Sequence, residues 1–109
     1  MAEVTIPDRL PIVIDRDRLA MICRRYGIRE LALFGSVLRD DFTPTSDVDV
    51  LYELAPISPI RSLLDVAALV VDLEELFGRR VDLAEKNRLY PLIAPAILSS
   101  CQVIYAAAE

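Results

Sequence analysis

The sequence predicts a small α/β (α+β) domain: a mixed sheet of three to four strands with helices packed over one face. Three observations carry this. Segments with apolar residues at helical spacing, 15–26 and 59–77, alternate with short apolar runs of strand character. Glycines stand where the helical patterns stop, at Gly27 and Gly78. The apolar fraction, 54% of 109 residues, suffices for one buried core, and 27% charged residues mark a globular chain. Residues 1–109 are read as a single domain.

The elements follow in order. Residues 1–14 form an irregular or loosely strand-like lead-in, punctuated by Pro7 and Pro11. A first helix over 15–26 has Asp15 or Asp17 near its N-cap and an apolar face of Leu19, Ile22, Cys23 and Tyr26. A strand over 28–34 leads into Gly35-Ser36, which opens a short helical turn, and residues 43–46 make a loop. The next strand, 47–54, alternates Val48, Val50, Tyr52 and Leu54 against Asp47, Asp49, Leu51 and Glu53. Ser58 reads as an N-cap with Pro59 at the first helical position of a long second helix, 59–77. That helix is apolar around most of its circumference, wider than one core contact needs, so it is either a well-covered core helix or carries a second, partner-facing stripe. A short strand over 80–84, a helix over 91–99 and a last strand over 102–105 complete the pattern.

Composition narrows the function. The formal net charge is −5, where a general nucleic-acid binder would show a basic face. Histidine is absent, which removes Ser–His–Asp and Cys–His catalysis and His-ligated zinc. Cys23 and Cys101 read as reduced packing thiols. No apolar run is long enough to span a bilayer and the N-terminal residues lack a leader pattern, so the expected location is cytoplasmic. Any catalysis must rest on carboxylates, hydroxyls, arginines and metal.

Those groups gather in one stretch. Gly35-Ser36 is followed, after ten residues, by Asp47-Val48-Asp49. On a strand, residues two apart share a face, so Asp47 and Asp49 project side by side. Such a repelling pair suits a bound cation, and Mg²⁺ takes one or two carboxylates and completes its shell with water and substrate phosphates. The Gly-Ser turn offers small bulk, backbone N–H groups and a hydroxyl to an anion. Asp82 alternates with Val81 and Leu83 on the next strand and shares that face if the strands are neighbours. Arg39, one helical turn past Ser36, reads either as a guanidinium for the leaving phosphates or as a solvated surface arginine. Lys86, Asn87 and Arg88 read mostly as a solvated loop.

This constellation resembles the signature of the DNA polymerase β-like nucleotidyltransferase superfamily, Gly-Ser, ten residues, then Asp-x-Asp. The short length makes the chain most similar to the minimal nucleotidyltransferases (MNT), commonly the antitoxin half of a two-gene module whose other half is a HEPN-domain ribonuclease toxin. The resemblance runs from RYGIRELALFGS through GRRVDLAEKN to the terminal VIY. It implies the polymerase β-like fold and Mg²⁺-dependent transfer of AMP from ATP to a hydroxyl, a tyrosine of the toxin, within a cytoplasmic hetero-oligomer and without direct nucleic-acid contact. It further implies that Gly35 and Ser36 hold the β- and γ-phosphates, that Asp47 and Asp49 hold two Mg²⁺ ions, and that Asp82 ligates metal or takes the hydroxyl proton. The family's usual Gly-Ser-x-Ala-Arg-Gly becomes Gly35-Ser36-Val37-Leu38-Arg39-Asp40 here, so Asp40 stands where a glycine of unusual backbone conformation is expected. The alternatives are a subunit that neutralises the toxin by binding alone, or a small-molecule adenylyltransferase.

Overall fold

The computed structural model describes residues 3–107. Strand β1 (Glu3–Val4) leads to helix α1 (Arg16–Arg25), β2 (Ile28–Phe34), a 3₁₀ turn (Gly35–Leu38) and β3 (Val48–Leu54). Helix α2 (Leu63–Phe77) follows, then β4 (Val81–Glu85), a second 3₁₀ turn (Lys86–Arg88), α3 (Ala94–Ser100) and β5 (Gln102–Ala106). The sheet order is β1-β5-β2-β3-β4, with β3 and β4 parallel and the other pairs antiparallel. The expected mixed sheet is present, and two residues of the lead-in add a fifth strand by pairing with β5. A two-residue edge strand carries no alternation that a sequence pattern can register.

Asp15 caps α1, its Oδ1 accepting from the Asp17 and Arg18 amides at 3.0 and 3.1 Å. Helix α2 begins at Leu63, four residues later than expected. Ser58 is not its cap: its hydroxyl donates to the Tyr26 carbonyl at 2.7 Å and accepts from the Ile60 amide. That bond pins the 55–60 loop against the turn at Gly27. The true cap is Ser62, in a reciprocal box with Asp65. Two serines were equally eligible by type, and the acid three residues after Ser62 decided between them.

Leu19, Ile22 and Cys23 of α1 and Leu69, Leu73, Leu76 and Phe77 of α2 pack on one face of the sheet. That face is built by Leu31, Leu33, Val48, Val50 and Tyr52, the alternate positions of β2 and β3. Burying each such side chain contributes about 1.5–3 kcal/mol, so this layer is the main source of stability. Burial also pushes the Cys23 thiol up to about 12, consistent with a packing role.

The other face carries the remaining alternate positions in matched rows. Phe34 is opposite Asp49 and Asp49 opposite Asp82; Ala32 is opposite Leu51 and Leu51 opposite Ala84; Glu30 is opposite Glu53. The 86–101 connection from β4 to β5 starts over this face, where Lys86 Nζ reaches Glu30 Oε1 at 3.0 Å and Glu53 Oε1 at 3.9 Å. The right-handed crossover between these parallel strands keeps the rest on the side opposite α2. Helices α1 and α2 therefore keep to one face as expected, and α3 rides in the crossover on the other. Lys86 is not a solvated loop residue. Its half-buried ammonium ties the crossover to the sheet, and the Glu30 bond raises its pKa.

Candidate functional site

The Gly-Ser turn and the acids meet at one end of the sheet. Strand β2 ends at Phe34, the register partner of Asp49, and Gly35 then turns the chain with φ of +75°. A Cβ at Gly35 would collide with Oδ2 of Asp49, so only glycine lets the turn sit against that carboxylate. The Ser36 backbone N–H donates to Asp49. Its hydroxyl has no partner among the described residues.

Asp49 is the half-buried centre of the acidic group, and Asp47 and Asp82 are exposed beside it. Burial raises the pKa of Asp49 above the ordinary carboxylate range. The charges of Asp82 and then Asp47 add to the rise, while Arg39 and the Ser36 N–H oppose it. Asp82 and Asp47 thus both act on Asp49, and strand adjacency sets Asp82 beside it. Among the described residues, no three His, Cys, Asp or Glu side chains form a ready-made metal cage. The donor set nevertheless fits a hard divalent cation in kind: all ligating atoms are oxygens, and the clustered negative charge is only partly offset.

Arg39 lies near enough to act on Asp49, yet its guanidinium is occupied by Asp41, Nε to Oδ1 at 3.2 Å and Nη2 to Oδ2 at 3.5 Å. This partner was not anticipated. Asp40 corrects an expectation: among the described residues only glycines have positive φ, so Asp40 adopts ordinary backbone geometry. The 3₁₀ turn ends at Leu38 and the chain extends through Arg39, which removes the need for a left-handed residue.

Beside the turn lies a cavity of about 700 Å³, lined by Arg9, Leu10, Leu38, Arg39, Phe42 and Gln102 among others. The acids stand outside it. Arg9 comes from the lead-in and Gln102 from the start of β5, positions that no local pattern connects to the turn.

A mixed sheet presenting a Gly-Ser turn against an Asp-x-Asp pair and a third acid on the parallel neighbour defines a nucleotidyltransferase. The chain belongs to the nucleotidyltransferase domain family, whose model matches residues 17–104. Protein adenylyltransferase MntA of Thermococcus cleftensis is 41% identical over 81 residues, covering 74% of this chain and 77% of the relative. A Methanocaldococcus jannaschii protein assigned as a protein adenylyltransferase is 34% identical over 82 residues, covering 75% and 85%. Among solved structures, one described as a minimal nucleotidyltransferase is 34% identical with a TM-score of 0.63, covering 78% of this chain and 86% of that one. A complex of the tri-AMPylated Shewanella oneidensis HEPN toxin with an MNT antitoxin contains a chain with TM-score 0.59 at 14% identity, covering 84% and 69%, a likeness of fold. Among the described residues, no helix is long and apolar enough to cross a membrane.

Proposed function

We propose that this nucleotidyltransferase moves AMP from ATP onto a tyrosine hydroxyl of a cognate HEPN-domain ribonuclease toxin, and so acts as the antitoxin. The observation that carries the reading is the acid row: Asp49 is flanked by Asp82 and Asp47 and set against the Gly35–Ser36 turn. The names of the relatives at 34% and 41% identity, both protein adenylyltransferases, support AMP as the group transferred and a protein as the acceptor.

Asp47, Asp49 and Asp82 are the residues that would hold Mg²⁺. When bound, the metal neutralises triphosphate charge and stabilises the attacking and leaving oxygens. The chain's own groups do the rest. Gly35 leaves room for the β- and γ-phosphates, the free Ser36 hydroxyl donates to them, and Arg39 exchanges Asp41 for phosphate oxygen. Asp82, exposed at the edge of the acid row, takes the proton of the acceptor hydroxyl. The hydroxyl oxygen bonds to the α-phosphorus, the bond from that phosphorus to the bridging oxygen breaks, and pyrophosphate leaves.

A second reading, neutralisation by binding alone, is favoured by two observations: Arg39 is engaged by Asp41, and the acids do not converge as a cage. Labelled ATP separates the two. With Mg²⁺ and the purified HEPN protein of the same genome, label at the α-phosphate should appear on that protein, and label at the γ-phosphate should not. A tight complex that takes up neither label contradicts transfer and supports binding alone.

A further inference from the structure

Among the described residues, large apolar side chains are exposed at Val13, Met21 and Ile57 and in two further groups. One is the outer side of α2, where Leu63 and Leu64 are 86% and 82% exposed and Val71 is 53% exposed. The other is the crossover over the acid-bearing face, with Tyr90, Leu92, Ile93 and Leu98 exposed and no buried residue anywhere in α3. Exposed large apolar side chains clustered within nine residues mark a contact surface.

We infer that the crossover from Leu89 to Ser100 is the docking surface for the protein that supplies the acceptor hydroxyl. This inference rests on the adenylyltransferase reading above and adds where the partner sits. Position decides between the two surfaces. Helix α2 packs on the face of the sheet opposite the one that carries Asp49 and Asp82, so a protein seated on its outer side has the sheet between it and the acids. The crossover lies on the acids' own side, anchored by Lys86 to Glu30 and Glu53.

Charge decides the kind of partner. On that face Glu30 and Glu53 are taken up by Lys86, which leaves the exposed Asp82, with Asp47 at the end of the sheet, to face a partner. Around the phosphate turn, Asp40 and Asp41 are exposed as well. A partner that fits has an apolar centre to cover Leu92 and Ile93 and a basic rim facing these carboxylates, the complement that speeds encounter and fixes orientation. A protein whose own substrate is RNA carries such basic surface.

The test uses the full chain and the purified HEPN protein of the same genome. Leu92→Glu and Ile93→Glu place charge in the patch, and Leu63→Glu with Leu64→Glu does the same on α2. All four side chains are at least half exposed, so melting temperatures should match the wild type and a lost fold is recognised directly. Binding measured by calorimetry should weaken tenfold or more in the crossover variants and hold within twofold in the α2 variant. The reverse pattern overturns the assignment in favour of α2. A dimer of the chain alone that Leu92→Glu dissolves overturns it in favour of a second copy. No binding by the wild-type chain refutes the antitoxin reading itself, and this surface with it.

Discussion

Replacing Asp49 by Asn should stabilise the fold at neutral pH while abolishing nucleotidyl transfer. Asp49 and Asp82 are register partners on adjacent parallel strands. Such strands run about 4.8 Å apart, which sets the carboxylates roughly 5–6 Å from each other. At an effective dielectric of about 20 the repulsion is roughly 3 kcal/mol, and screening of the exposed Asp82 reduces it to about 1 kcal/mol. Asp47 adds a smaller contribution of the same sign. The amide oxygen of Asn still accepts from the Ser36 N–H, so no hydrogen bond is lost. A gain of about 1 kcal/mol raises the melting temperature of a domain this size by roughly 4–8 °C. The pH dependence follows from the direction of the shift. The folded-state pKa of Asp49 lies above its ordinary 3.8, so its ionisation destabilises the fold as pH rises through the raised value. Below 3.8 the carboxyl is neutral in both states and wild type and variant should melt together. Thermal melts across the acid range check this. Equal melting temperatures at neutral pH, or a gain that persists undiminished in acid, would refute the repulsion argument.

Three further substitutions separate site from scaffold. Ser36→Ala removes a hydroxyl with no partner among the described residues, so the melting temperature should hold within a degree or two. Calorimetry should show ATP binding weaker by about ten- to a hundredfold, the range for a hydrogen bond to a charged group. Gly35→Ala forces a side chain into Asp49 at φ +75°, so it should lower stability by about 1–3 kcal/mol and eliminate nucleotide binding together. Ser58→Ala leaves the Tyr26 carbonyl without its donor in a buried setting and should cost about 1–3 kcal/mol in denaturant unfolding while ATP affinity is unchanged.

Much of this molecule could be read from local pattern. The strand over 28–34 was bounded by Gly27 and Gly35, both at positive φ, and it matches β2 residue for residue. Alternation placed Asp49 away from Val48 and Val50, and the parallel pairing of β3 with β4 brought Asp82 beside it. Two of the misses share one cause, contacts between residues far apart in sequence. Ser58 was drawn to Tyr26 rather than to a helix end. The Lys86 tie to Glu30 and Glu53 spans the sheet, so a charged residue after a strand looked like loop and proved to be an anchor. The hold of Asp41 on Arg39 is local, but its geometry depended on how the 3₁₀ turn ended. The exposed apolar stripe of α2 was half legible: its width was visible, and which positions faced outward was not.

The central claim is transfer of AMP by the acid row onto a partner tyrosine, and intact-mass measurement of the co-expressed HEPN protein tests it most directly. Co-expressed with the wild-type chain, the partner should gain one or more AMP units, mapped by peptide sequencing to tyrosine. Co-expressed with Asp49→Asn or Asp82→Asn, it should keep its unmodified mass although the complex still forms. An unmodified partner with the wild-type chain, or equal modification with the Asn variants, contradicts the account.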